Sequence, residues 1–390
     1  MKVIFVTRGW PTSSDPMSGN FEAVQAKALV KRGIDVTVFY LREKSFSHIL
    51  DSKKVERIDD NGIMVLSQTV VLPEIPGWKK TKNNSFALKI RRRAFSRMYE
   101  FYRKLKGDAD LIHAHFINQA SNCKNVIGKY HIPFVITEHW SKLNFATTTQ
   151  DVIRLADGYQ WADKIISVSQ ALADSLKEKF GVESQVIHNM VSDSFFVKSP
   201  VDPTPNKEKF IKFISVGSLI DLKGFDLIIR ALCNCKHLDK CQVSIIGGGP
   251  EEANLKAMIE ECHLQDKVFL LGKKTPEEVS ALMASSDCFI LTSRRETFGI
   301  VYIEAMAKGK PVIATICGGP ESFVNESNGI LIPIEDVEAT TKAMDYMVEN
   351  LGKYDSEAIS RYCYENFSEE FISKKIIAVY QEAIELHKSK

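Results

Sequence analysis

Apolar positions in this chain recur in short runs, each closed by a turn and followed by a segment with helical spacing. Val3–Val6 opens the series, Phe21–Arg32 follows with a helical period that Gly33 stops, and Asp35–Leu41 is the next strand. The same alternation continues through Leu111–His115, Phe134–Thr137 and Lys164–Val168, with Gln170–Lys179 as the helix after the last of them. Strands that alternate with helices predict parallel sheets, because parallel neighbours need a crossover between them. Ser199–Asn206 interrupts the pattern with three prolines in eight residues. Proline removes backbone donors and turns its predecessor away from helix, so this run is predicted to be a linker. A second series follows, with strand candidates Phe213–Val216, Val243–Ile246, Val268–Leu271, Cys288–Leu291 and Val312–Ala314. The last amphipathic segment, Glu369–Leu386, opens at Ser368 as its cap. The pattern thus predicts an α/β chain of two doubly wound domains, 1–200 and 206–367. They would face each other across a cleft, because ligands of such sheets bind outside the strand carboxyl ends.

Charge changes this picture in one place. The 390 residues carry 51 Lys plus Arg against 49 Asp plus Glu, a net charge of +2, with 44% hydrophobic and 26% charged residues. That balance excludes a disordered tail, a fibrous repeat and a disulfide miniprotein, and it argues against nucleic acid as a partner. Lys79–Lys106, however, holds eleven Lys or Arg and one Glu, a local charge of +10. Phe86, Phe95, Met98, Tyr99, Phe101 and Tyr102 interleave with those charges. Two readings stand: a basic amphipathic helix on an anionic membrane surface, or a helix whose apolar stripe packs on its own domain. No run reaches the ~20 apolar residues of a bilayer span. Met1–Trp10 fits a first strand better than a signal peptide. Eight Cys without a framework spacing suit a reducing cytoplasm, and the first of the two readings of 79–106 would add peripheral attachment at the inner face of the membrane. Cys233, Cys235, Cys241 and Cys262 lack the paired spacing of a zinc site, so no metal is expected.

The sharpest chemistry lies in Arg295–Gly309. It follows the Cys288–Leu291 strand, passes a short loop and enters a helix. Glu296 falls in the loop and Glu304 in the helix, and Phe298, Gly299 and Ile300 form the helix mouth, whose free N–H groups and dipole favour a phosphate. Two carboxylates beside a phosphate cradle can accept hydroxyl hydrogen bonds, which suits a sugar nucleotide. His113 and His115 form an HxH pair on one face of a strand, without the further ligands of a metal hydrolase. Asp108 and Asp110 precede their strand, which fits a cap-and-turn role. Glu138 and His139 end the next strand, where they would either touch an acceptor or sugar or serve packing. No Gly-x-Gly-x-x-Gly follows the first strand, which disfavours a nicotinamide enzyme.

At these residues the chain resembles glycosyltransferase family 4, the retaining enzymes of GT-B fold. Two Glu residues with seven residues between them, Phe-Gly among these, are that family's hallmark. Val216–Leu219, Asp221–Gly224, Gly247–Pro250, Gly272, Ser293, Pro311–Ala314 and Gly318–Glu321 follow in family order. Gly19 and the second His of Ile112–His115 match first-domain positions.

The resemblance implies roles. Lys223 would bind the donor diphosphate and Glu304 the donor ribose hydroxyls. Glu296, with the backbone of Phe298, Gly299, Ile300 and Val301, would hold the transferred sugar and the distal phosphate. His115 would contact that sugar, Gly19 would let its loop close on the diphosphate, and the backbone at Lys273 would face the nucleobase. Ser218 stands where the family usually has Arg, and Arg294 or Arg295 is expected to compensate. The terminal helix, 368–390, would pack back on the first domain. The implied activity is transfer of a hexose-type sugar, with retention, from a UDP-, GDP- or ADP-sugar. The hydroxyl acceptor would belong to a glycan, a lipid-linked carrier or a cell-envelope polysaccharide. The diphosphate would be neutralised by protein groups, with no cofactor and no metal. The alternatives are a non-catalytic sugar-nucleotide-binding protein, and an epimerase or glycan phosphorylase on the same fold.

Overall fold

The computed structural model describes residues 1–12, 15, 18–44, 54–72, 85–140, 155–197 and 210–390. The chain divides into two units, one of Met1–His188 with Ile372–Lys390 and one of Asn189–Phe371. The first passage between them falls at His188, ahead of the proline run 199–206, which lies outside the described residues.

The first unit carries strands β1 (Lys2–Val6), β2 (Asp35–Lys44), β3 (Val55–Asp60), β4 (Ile63–Val71), β5 (Leu111–His115), β6 (Phe134–Glu138), β7 (Lys164–Ser167) and β8 (Gln185–Val186). Its helices before residue 189 include α1 (Asn20–Lys31), α2 (Ser85–Lys106), α3 (Ile117–Ala120), α4 (Lys124–Tyr130) and α5 (Gln170–Phe180). The sheet order is β3-β4-β2-β1-β5-β6-β7-β8. Pairing is parallel except for the β3–β4 hairpin. The apolar pattern does not single out that hairpin. Its Asn61–Gly62 turn, with φ +50° and +85°, is nevertheless a readable hairpin signal.

The second unit carries β9 (Ile211–Val216), β10 (Cys241–Ile246), β11 (Val268–Leu270), β12 (Cys288–Leu291), β13 (Val312–Thr315) and β14 (Gly329–Ile332). Helices α6 (Phe225–Cys233), α7 (Glu252–Glu261), α8 (Pro276–Ala284), α9 (Ile300–Ala307), α10 (Val337–Asn350) and α11 (Ser356–Phe367) separate or follow them. The order β11-β10-β9-β12-β13-β14, parallel throughout, is the doubly wound Rossmann arrangement. Each sheet has a switch point where successive crossovers leave in opposite directions: β1/β5 in the first and β9/β12 in the second. Their carboxyl ends lead into Thr7–Gly9 and Phe116, and into Gly217–Lys223 and Thr292–Gly299, which is where the candidate residues lie.

Of the two readings of the basic segment, packing on its own unit accounts for the apolar face of α2. Leu88, Phe95, Met98, Tyr99 and Tyr102 are buried, and the Phe39 ring centroid lies 5.5 Å from that of Phe95 and 6.0 Å from that of Tyr102. That stripe is therefore not free to enter a bilayer. Several cations also turn inward: Arg91 is buried against Glu43 at 2.7 Å, and Arg92 Nε donates to the Ser121 carbonyl at 2.9 Å. Lys89, Arg93, Arg97 and Lys104 remain on the exposed face. Residues 79–84 lie outside the described residues. Among the described residues no helix is long and apolar enough to cross a membrane.

The last helix, α12 (Glu369–Lys388), starts in the second unit and belongs to the first from Ile372 onward. There the Tyr380 hydroxyl meets His113 Nδ1 at 2.7 Å, and the Thr137 hydroxyl meets His113 Nε2 at 2.7 Å. Asp163 accepts from the Phe134 amide at 2.8 Å and pairs with His387 at 3.0 Å and Lys390 at 2.9 Å. Burial pushes His113 down to about 3, so it is a neutral ring with both nitrogens used. Tyr380→Phe would leave one of those nitrogens buried without a partner, at a cost of about 1–3 kcal/mol. All four tryptophans precede residue 189, so their fluorescence follows the first unit. A urea titration read this way should show a lower midpoint for the variant with an unchanged slope.

Candidate functional site

In the second unit the loops after β9 and β12 build the site. Gly224 sits at φ +64°, and a Cβ there would lie 2.1 Å from the Thr292 carbonyl oxygen, so the loop before α6 can press against the loop after β12. The Thr292 hydroxyl fastens the same contact by donating to the Gly224 carbonyl at 2.6 Å. This brings Lys223 Nζ to 2.5 Å from Glu296 Oε1, and the Ser293 hydroxyl donates to the same oxygen at 2.8 Å. Glu296 is only 8% exposed. Its amide donates to the Cys317 carbonyl at 3.2 Å.

The helix mouth beside this pair is open. Gly299 caps α9 at φ +90° and offers no side-chain cap, and among the described residues no side-chain hydrogen bond to the amides of Ile300 and Val301 is seen. The Phe298 side chain is buried against Phe323 and Phe367, with centroids 4.9 Å and 5.9 Å away, so only its backbone belongs to the mouth. Glu304 lies one turn beyond Ile300, half-buried, and burial pushes its carboxyl up to about 7. Lys273 runs its stem past Gly248, where a Cβ would meet Lys273 Cε at 3.0 Å. Ser218 is exposed after β9.

Arg294 does not fill the charge expected at Ser218. Its guanidinium is held by both oxygens of Asp226 at 3.0 Å, by Glu335 and by Asp221. Arg295 is exposed.

In the first unit, Gly19 precedes α1 at φ +67°, and a Cβ would sit 2.3 Å from the Gly9 carbonyl oxygen, so glycine is required for the two backbones to touch. His115 is fully buried, its Nδ1 lies 2.9 Å from His139 Nε2, and among the described residues its Nε2 has no hydrogen-bond partner. Phe116 follows it at φ +66°, a strained conformation for a bulky residue.

Of the two readings of Glu138, its contacts are those of the packing one, a structural clasp. It is fully buried, and its two oxygens accept from the amides of Ile117, His139 and Trp140 and from the Tyr159 hydroxyl, at 2.8–3.0 Å. Asp108 and Asp110 are structural but not helix caps: Asp108 accepts from Arg103 Nε at 2.5 Å and Asp110 from the Lys2 amide at 2.6 Å.

Arg8 and Glu22 escaped the sequence reading. Glu22 is fully buried in α1 and accepts from Arg8 Nε at 3.1 Å, while the guanidinium lies 4.2 Å from the Phe116 ring centroid and 5.2 Å from that of Phe21. Burial raises the Glu22 carboxyl, and Arg8 opposes that rise. The readable signal is an acidic residue among the core-facing positions Ala23, Ala26 and Leu29 of a helix.

Comparison with known proteins agrees with this geometry. The sequence model described as Glycosyltransferase Family 4 matches residues 24–195, and that of the glycosyl transferases group 1 matches residues 200–365. The N-acetyl-alpha-D-glucosaminyl L-malate synthase of Bacillus anthracis is 27% identical over 287 residues, covering 70% of this chain and 73% of that protein. The phosphatidylinositol N-acetylglucosaminyltransferase GPI3 subunit of Saccharomyces cerevisiae is 29% identical over 194 residues, 47% of this chain and 43% of that one. Two solved structures share the fold across 98% of this chain. The sucrose-phosphate synthase of Thermosynechococcus elongatus matches over 98% of its own length with TM-score 0.78 and 17% identity. HepE of Anabaena, solved with UDP, matches over 100% with TM-score 0.74 and 18% identity. Two Rossmann-type sheets and this likeness give the chain the GT-B fold. The chain belongs to glycosyltransferase family 4.

Glu304 makes the site's stability depend on pH. Its pKa is raised from the usual carboxylate value, so the folded state holds the proton more tightly. The stabilisation is full below about 4.5 and is lost as pH rises to about 7. The range is at most about 3 kcal/mol. Glu304→Gln should flatten this part of the stability–pH curve, as read by thermal melting followed by circular dichroism between pH 5 and 8.

Proposed function

We propose that the protein moves a hexose-type sugar from a nucleoside diphosphate to a hydroxyl of a glycan or lipid-linked acceptor, with retention at the anomeric carbon. The observation that carries this is the Lys223–Glu296 pair at the open mouth of α9. Both members are placed to exchange each other for a ligand. Lys223 turns to the diphosphate, joined by the amides of Ile300 and Val301, and Glu296 turns to sugar hydroxyls. Glu304 accepts from the ribose hydroxyls, and the backbone at Lys273 meets the base. The acceptor oxygen bonds to the anomeric carbon as the bond to the phosphate oxygen breaks, and the acceptor proton passes to that departing phosphate. The protein's part is positioning and charge stabilisation. His115 and Gly19 are assigned to the same reaction, His115 as a hydrogen-bonding group for the sugar. The relatives above are named as an N-acetyl-alpha-D-glucosaminyl L-malate synthase and a phosphatidylinositol N-acetylglucosaminyltransferase subunit, and HepE has the same fold and was solved with UDP, which supports a nucleotide-sugar donor.

The alternative of binding without catalysis has one observation in its favour. Ser218 is neutral, and Arg294, expected to replace the missing charge, is committed to Asp226 and Glu335. A panel of UDP-, GDP- and ADP-hexoses with glycan and lipid-linked acceptors decides between them. Transfer that survives a chelator and drops at least about a hundredfold in Lys223→Ala and Glu296→Gln is expected. Tight binding with neither transfer nor slow donor hydrolysis would favour the binding protein. Full transfer by Glu296→Gln would remove the sugar-site assignment.

A membrane-linked acceptor would use the exposed cations of α2 and not its buried stripe. Sedimentation with phosphatidylglycerol vesicles should exceed that with phosphatidylcholine, fall with salt, and be lost in Arg93→Glu/Arg97→Glu. Binding indifferent to lipid charge would reject this surface.

A further inference from the structure

The reaction proposed above uses His115 but gives His139 no task, and the first unit couples the two rings closely. β5 and β6 are parallel neighbours with His115 in register with Thr137. His139, two residues on, returns to the same side. The rings lie nearly parallel, 18° apart with centroids at 5.2 Å, and His115 Nδ1 is 2.9 Å from His139 Nε2. His139 is itself fixed. Its ring is flanked by Phe21 at 4.8 Å and by the strained Phe116 at 5.0 Å, and its amide donates to the Glu138 clasp at 3.0 Å. His113, the other neighbour of His115, has both nitrogens engaged and cannot compete for this contact.

We propose that His139 is a positioning residue: its Nε2–H donates to His115 Nδ1, which fixes the His115 ring and leaves the His115 proton on Nε2. Among the described residues that Nε2 is buried without a hydrogen-bond partner, so it is the ring nitrogen not already engaged. Hydroxyl and phosphate oxygens both accept hydrogen bonds, so a protonated Nε2 serves either. An N–H···N bond also requires that the accepting ring be neutral. Burial pushes both imidazoles well down, and the Arg8 guanidinium pushes them the same way. The inference rests on the assignment of His115 to sugar transfer, but the tautomer lock itself can be read without any ligand.

Long-range nitrogen–proton NMR on the full chain labelled with nitrogen-15 histidine tests the lock, with the His115 signals assigned by their loss in His115→Gln. The parent should show His115 as a single tautomer protonated on Nε2. His139→Ala should show a mixture, and His139→Gln, whose side-chain amide can still donate, should restore the single form. A His115 protonated on Nδ1 in the parent, or unchanged in His139→Ala, overturns the proposal. The second arm is kinetic, with whichever UDP-, GDP- or ADP-hexose supports transfer. kcat should fall about tenfold to a hundredfold in His139→Ala, with donor KM within about twofold, and should recover in His139→Gln. A lock that is lost in His139→Ala with kcat intact would overturn the role of His115 in transfer, and with it the need to position that residue.

Discussion

Parallel strands must be joined by crossovers, and a doubly wound sheet has one place where those crossovers part. There no crossover covers the strand ends, and the backbone and side chains that follow them lie beside the gap this leaves. In this chain the constraint operates twice. β1 and β5 open one such place, and Arg8, Gly9 and Phe116 follow those strands, with His115 at the very end of β5. β9 and β12 open the other, with Ser218, Lys223, Ser293 and Glu296. Each of these residues is where it is because the sheet order puts it there, whatever chemistry it later performs.

Polar groups at these openings are supported in different ways. Lys223 and Glu296 satisfy each other, with the Ser293 hydroxyl completing the carboxylate. Such a pair keeps charge ready without leaving it unpaired, and a ligand that carries both phosphates and hydroxyls can take both partners at once. Glu304 has been given burial and no cation, and it is therefore held near neutrality. In the first unit Glu22 holds Arg8, and Glu138 holds three amides and a hydroxyl. Those carboxylates are scaffold: they fix the surroundings of His115.

The sequence made much of this legible, for identifiable reasons. β5 and β12 were readable to their end residues because each is a wholly apolar or buried run bounded by turns. Glu296 and Glu304 were legible because one helix mouth and one spacing define them. The apolar face of α2 was not, since an amphipathic pattern says that one face will be covered and is silent on what covers it; Phe39 and the rest of the sheet do so. The partners of Arg294 are not legible in the sequence for a related reason. Its neighbour in sequence is Glu296's loop, but its partners Asp226 and Glu335 come from elsewhere in the chain. The contact of His115 with His139 spans 24 residues and exists only once β5 and β6 are in register.

The central claim is that the second unit binds a nucleoside diphosphate sugar with Glu304 on its ribose. Hydroxyl hydrogen bonds favour the ionised carboxylate, so binding should drive off the proton that burial holds. Calorimetric titration of the sugar nucleotide near pH 6.5, in buffers of differing ionisation enthalpy, counts that proton. The expected result is net proton release on binding by the parent protein and none by Glu304→Gln. Binding with the same proton balance in both proteins, or no binding of any UDP-, GDP- or ADP-sugar, would contradict the account.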